Sequence, residues 1–241
     1  MENANEILFR CSSLGYLMTE PKSKSELISE TTKTHLVDKF VSAKYGRETD
    51  ISNRYTRKGL QVEEDSITLF SRVKKEFFKK NELTLSNGFI SGTPDLFTGS
   101  IITEAETIID IKSSWDIFTF FRATQDKLNK MYYWQLQGYM ALTGAKSSKL
   151  SYCLVNTPEP LIFDEKNKLK WKMGVINPET DELFQQACDA IDKALIYDDI
   201  PLEERCVEIH IERNDEDIER LYKRIKDCRT YMNEVLFKTA Q

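Results

Sequence analysis

Two neighbouring segments decide the fold of this chain: Gly92-Thr93-Pro94-Asp95-Leu96-Phe97 and Thr107-Ile108-Ile109-Asp110-Ile111-Lys112. Thr98-Gly99-Ser100 lies between them and supplies turn chemistry, while the β-branched run from Thr107 suits a pleated, half-buried strand. The expected unit is a hairpin with charge at its end. Side chains alternate along a strand, so Asp110 and Lys112 share one face and Ile109 and Ile111 the other. A buried strand that ends in a carboxylate and an ammonium, next to Ser113-Ser114, points to chemistry. Hydrolysis of a phosphodiester needs neutralised phosphoryl oxygens and a deprotonated water, and a hard cation held by carboxylates supplies both. Asp95 and Asp110 are the candidate oxygen donors, and Lys112 is a fixed positive charge for the attacking hydroxide.

Upstream, Asn87-Gly88 suits a tight hairpin turn with strands running into Phe89-Ile90. The segment from Arg54 to Lys80 repeats Leu60, Ile67, Phe70, Val73 and Phe77 at helical spacing, with Glu63 on the same stripe. A lone carboxylate facing a core is costly unless a cation compensates it, which makes Glu63 a candidate member of the site, acting through a water. An earlier helix is expected from Ser23 to Tyr45, stopped by Gly46.

Downstream, a long helix is expected from Phe118 to Thr143, ended by Gly144. It places Gln135 and Tyr139 on one face, with Gln137 the alternative if the helix is rotated. A strand at Leu150 to Val155 follows, then a charged loop from Pro158 through Lys168 and a helix at Glu179 to Leu195. A strand at Cys206 to Ile211 precedes an amphipathic helix capped by Asn214 or Asp215. This order gives an α/β core, read as one domain over 1–241 with its core at about 54–156 and a strand-and-helix extension at about 179–241. Trp115, Phe118, Phe120 and Phe121 are expected in the core, and Arg54, Arg57, Lys58, Lys127 and Lys130 near phosphates.

The net charge of -5 excludes a protein that coats nucleic acid by bulk electrostatics, so contacts must come from local basic clusters. No stretch is long and apolar enough for a membrane span, no secretory leader is evident, and five scattered cysteines form no zinc or iron-sulfur spacing. A cytoplasmic protein with reduced thiols is expected.

Gly92-Thr93-Pro94-Asp95, Asp110-Ile111-Lys112 and Gln135-Leu136-Gln137-Gly138-Tyr139 resemble, in order, the PD-(D/E)XK pattern and the QxxxY helix of its RecB-like branch. Lys58-Gly59-Leu60-Gln61-Val62-Glu63 resembles the first-motif helix of the phage lambda-type exonucleases, the YqaJ-like viral recombinases. The resemblance implies a restriction-endonuclease-like α/β fold, a mixed β-sheet flanked by helices. It also implies a magnesium-dependent exonuclease, with manganese substituting, that degrades one strand of linear double-stranded DNA from 5′ to 3′. The 3′ tails would serve homologous recombination beside a single-strand annealing recombinase. A ring-shaped homotrimer in a bacterial host cell is implied as well. Residue by residue, it assigns metal binding to Asp95, Asp110, the Ile111 carbonyl and, through water, Glu63, and catalysis to Lys112 with Gln135 in support. DNA contacts fall to Arg10, Ser12, Ser13, Tyr139, Gln137, Arg54 and Lys58. Two departures stand out: Asp110 replaces the commoner glutamate, and Arg10, Ser12 and Ser13 only loosely echo the family's arginine and serine element. An endonuclease on the same core and a catalytically silent DNA-binding module are the rival readings.

Overall fold

The computed structural model describes residues 3–23, 25–49, 53–125 and 128–239. In chain order, β1 (Phe9–Arg10) leads through a 3-10 turn into the short α1 (Leu14–Leu17), then α2 (Glu30–Tyr45), α3 (Arg54–Gln61) and α4 (Glu63–Lys74). Four strands follow, β2 (Leu85–Ser86), β3 (Ile90–Gly92), β4 (Leu96–Phe97) and β5 (Thr107–Ser113), then α5 (Ile117–Gln125) and α6 (Lys130–Thr143). The remainder is β6 (Ser147–Cys153), α7 (Glu159–Met173), α8 (Glu182–Leu195), β7 (Cys206–Glu212) and α9 (Asp215–Tyr231), which continues as a π-helical turn to Phe237.

The strands form two mixed sheets flanked by helices, ordered β1-β3-β2 and β4-β5-β6-β7. Asn87-Gly88 turns the antiparallel β2/β3 pair, and β4 pairs antiparallel with β5, Leu96 opposite Ile109. β5 and β6 are parallel, Asp110 opposite Leu150, so α5 and α6 supply the crossover that a parallel pair requires. β5 separates two apolar clusters: Ile108 packs with Leu136 and Met140 of α6, while Ile109 and Ile111 pack with Ile67 and Phe70 of α4. The alternation read from the sequence therefore holds, and Asp110 emerges on the α6 side.

Several boundaries differ from expectation. The helix expected over 54–80 is broken at Val62 (φ -111, ψ 16), and α4 restarts with Glu63, Glu64 and Asp65 in its first turn, where carboxylates suit the positive helix end. It stops at Lys74, with Lys75 in the left-handed conformation (φ 55), and Leu60 and Phe77 of the expected stripe are exposed. Burial of Val62 overrides helical continuity. The expected helix from Phe118 to Thr143 is two helices, the second capped by Asn129; Lys127 lies outside the described residues. The helix expected from Ser23 begins at Glu30, because the Ser29 side chain accepts from Thr32 N–H and caps it there. The charged loop expected after Pro158 is helix α7: its prolines sit at the cap and first turn, where no N–H bond is lost, and its charges form a solvated face. Trp115 and Phe120 are buried as expected, whereas Phe118 and Phe121 are exposed. No helix among the described residues is long and apolar enough to cross a membrane.

Candidate active site

Asp110 is 1% exposed, and two groups hold its carboxylate, one at each oxygen. Gln135 Nε2 on α6 donates to its Oδ1 at 2.9 Å and to Tyr139 Oη at 3.0 Å. Lys112 Nζ stands 2.7 Å from its Oδ2, an oxygen that accepts no directional hydrogen bond. The two-residue spacing of the strand brings the ammonium to the carboxylate, and Tyr132 places its ring 5.1 Å beneath the same ammonium.

Asp95 follows the β3 strand and reaches β5 from the other side. Its Oδ2 accepts from the Ile111 N–H at 2.7 Å. A strand residue's carbonyl leaves on the same side as its N–H, so the Ile111 carbonyl faces Asp95. Burial, and then the charge of Asp110, push the Asp95 carboxyl up to about 7. For Lys112 burial opposes the charge, but Asp110 and Asp95 outweigh it and hold the ammonium above its ordinary range.

Asn81, which the sequence reading missed, clamps the Pro94-Asp95 turn: its N–H donates to the Asp95 carbonyl and its Nδ2 to the Pro94 carbonyl, both at 2.8 Å. Glu63, at the start of α4, lines the same cleft as Asp95 and accepts from Lys80 Nζ at 2.8 Å. Lys80 was missed too. Both sit in the coil after α4, where no periodicity announces a tertiary partner.

Motif glycines are steric. A Cβ on Gly92 would lie 2.7 Å from the Tyr139 ring and 2.8 Å from Cys11 Sγ, and one on Gly138 would lie 2.5 Å from Leu14 and 3.0 Å from Cys11 Sγ. Cys11 thus fills the space between the strand leading to Asp95 and the helix carrying Gln135.

The cleft measures about 1040 Å³ and brings together Glu63, Asp95, Asp110, Ile111, Lys112 and Gln135. Arg10 and Ser12 line its edge and continue into a recess of about 720 Å³ with Ser13, Tyr16, His35 and Lys39. Arg54 stands beside it, stacked 5.1 Å from Trp115 and 3.4 Å from Glu165.

Three expected DNA contacts are corrected. Lys58 is fully buried and donates to the Trp115 carbonyl at 2.8 Å, because its face of α3 turns inward. Gln137 is buried away from the cleft, where Nε2 donates to the Glu212 carbonyl at 2.8 Å and Oε1 accepts from Asn214 N–H at 2.9 Å. Tyr139 is buried behind Gln135, so it orients that side chain and is not available to a phosphate.

A metal at this site would rest on few protein ligands, since among the described residues no three His, Cys, Asp or Glu side chains converge. Two carboxylates, a main-chain carbonyl and water suit magnesium, which keeps much of its hydration. Asp110 Oδ2, buried with the Lys112 ammonium as its one ionic neighbour, and the raised Asp95 carboxyl are what a hard cation would satisfy, so the donor set fits.

No family model and no curated protein sequence matches the chain. Solved structures do. A phage-related exonuclease from Haemophilus somnus 129PT aligns over 99% of each chain at 26% identity with a TM-score of 0.73. An alkaline exonuclease from Laribacter hongkongensis aligns over 98% of this chain and 95% of its own at 15% identity with a TM-score of 0.63, which is a likeness of fold. The same exonuclease in complex with dAMP gives 16% identity, the same coverage and a TM-score of 0.62. With Asp95, Asp110, Lys112 and Gln135 arranged in motif order on a fold that a phage-related exonuclease shares end to end, the chain is similar to the phage-type exonucleases of the PD-(D/E)XK kind.

Proposed function

We propose that the chain is a magnesium-dependent exonuclease that degrades one strand of linear double-stranded DNA from 5′ to 3′ and leaves 3′ single-stranded tails for phage-type recombination. Manganese substitutes for magnesium. The observation that carries the reading is the convergence of Asp95, Asp110 and Lys112 in an open cleft, on a fold matched end to end by a phage-related exonuclease.

Each side chain has a distinct task. Asp95 and Asp110, with the Ile111 carbonyl, would hold the metal, which would supply charge neutralisation and an acidified water. Lys112 directs its ammonium at the attacking oxygen and the developing phosphoryl charge. Gln135 fixes the Asp110 carboxylate, Tyr139 fixes Gln135, and Glu63 orders water at the cleft edge. Arg10 and Ser12, with Ser13 in the adjoining recess, form the candidate seat for a terminal phosphate. A homotrimeric ring, a single-strand annealing partner and a place in the bacterial cytoplasm complete the reading.

The test uses linear duplex with a 5′ phosphate, labelled at either end, beside covalently closed circular DNA, with magnesium or chelator. Magnesium-dependent loss of only the linear form, starting at the 5′ label and abolished by Lys112→Ala, supports the exonuclease. Nicking of the circle would favour an endonuclease, and no cleavage with any divalent metal would leave a binding module.

A further inference from the structure

The turn after α4 is the sequence Lys74-Lys75-Glu76-Phe77-Phe78-Lys79-Lys80, four lysines and one glutamate in a chain that is acidic overall. Its two phenylalanines behave oppositely. Phe78 tucks against Phe70 with ring centroids 5.0 Å apart, whereas Phe77 is 87% exposed. The turn is held in place: Glu76 N–H donates to the Ser71 carbonyl at 3.1 Å, and Phe78 N–H to Ser71 Oγ at 3.2 Å. Phe77 is therefore presented to solvent by a fixed backbone.

Around it lies a groove of about 750 Å³ that includes Arg72, Lys75, Lys79 and Lys80. Among the described residues, Lys74 pairs with Glu208 and Lys80 with Glu63 and Glu64, but Arg72, Lys75 and Lys79 have no carboxylate within ion-pair distance. Glu64, Glu76 and Glu82 line the groove as well, so its four cations Arg72, Lys75, Lys79 and Lys80 face three carboxylates and keep a small positive excess. Lys75 occupies a left-handed position (φ 55) that glycine fills at lower cost, so a cation is kept where the backbone disfavours one. The groove neighbours the catalytic cleft: Lys80, which lines the groove, pairs with Glu63, which lines the cleft.

We propose that this groove binds single-stranded DNA next to the catalytic cleft, with Phe77 stacking on an unpaired base and Arg72, Lys75 and Lys79 contacting phosphates. Free cations match a polyanion, and an exposed ring on a fixed turn is a stacking platform that paired bases cannot reach. The inference rests on the nuclease reading and adds to it a track for one strand.

The experiment uses the full chain carrying Lys112→Ala, in chelator, with fluorescence anisotropy of a labelled oligothymidylate and of a blunt duplex of equal length. Phe77→Ala is expected to weaken oligothymidylate binding roughly tenfold, the loss of one stacked base, and duplex binding by no more than about twofold. Lys75→Gly is expected to raise Tm by relieving the left-handed lysine, yet to lower the slope of log affinity against log salt by roughly 0.7. A variant that is more stable and binds worse cannot be explained by misfolding. Unchanged oligothymidylate affinity in both variants overturns this proposal alone, and a changed oligomeric state with unchanged affinity would reassign the groove to a subunit contact. Failure of the parent chain to bind any DNA overturns the nuclease reading and this track together.

Discussion

Helix α3 fully buries a lysine and strand β5 partly buries another, and the two lysines are held in opposite ways. Lys58 is out of solvent with no carboxylate in contact; its Nζ donates to the Trp115 carbonyl and lies 5.5 Å from the Tyr197 ring. Burial pulls it down to about 7, and the charge of Asp116 only partly offsets this. Lys112 keeps a quarter of its side chain exposed and sits 2.7 Å from Asp110, so its ammonium is held above the ordinary range. Burial by itself works against a cation. Carboxylates positioned by a strand and a turn make one permanent.

The sharpest way to break this contrast is Lys112→Ala. It is expected to reduce turnover of linear duplex by roughly 10²- to 10³-fold or more, as for loss of a group aimed at developing charge. Retained activity would show that the Asp110 partner is only structural.

Lys58→Met probes the other lysine. With a folded value near 7 against 10.5 unfolded, Lys58 is protonated in both states below about pH 7 and its burial cost is fully present there. Above that the unfolded chain binds the extra proton, so its contribution to stability rises with pH. Between about pH 7 and pH 9 the gain is on the order of 2 kcal/mol. Urea unfolding at the two pH values should show that rise in the parent and a flatter response in Lys58→Met, with nuclease activity nearly unchanged. An equal rise in both proteins would mean Lys58 is not the group that titrates.

Gln135→Leu tests how far Asp110 depends on its second partner. Leaving Oδ1 unbonded is expected to cost about 1–3 kcal/mol, read as a fall in kcat with little change in KM. Lys80→Ala should have the smallest effect, about 1 kcal/mol or less in thermal unfolding, because its pair with Glu63 is partly solvated. A large loss there would move Lys80 from the edge of the site to its centre.

The active strand was legible because one rule, alternation, both buried Ile109 and Ile111 and aligned Asp110 with Lys112. Gly144 was legible for a similar reason, since its left-handed backbone (φ 81) meets a need that few residues satisfy, whereas Asn87-Gly88 joins β2 to β3 without a positive φ. Lys58 was not legible: a lysine among basic residues reads as surface, and only the packing of Trp115 and Tyr197 shows otherwise. Asn81 and Lys80 act from irregular chain, where spacing carries no information about neighbours. Gln135 and Gln137 could not be separated by helical spacing alone; the choice is made by Asp110 on one side and the β7–α9 turn on the other.

Cys11, caught between Gly92 and Gly138, works as a feeler gauge for the catalytic centre. Its sulfur sets the clearance at which α6 rests beside β3, and the reach of Gln135 to Asp110 is adjusted to that clearance. A short segment near the amino terminus, with no catalytic atom of its own, thereby calibrates a contact about a hundred residues away. A wider or narrower shim at position 11 would shift the carboxylate's alignment while leaving every motif residue intact.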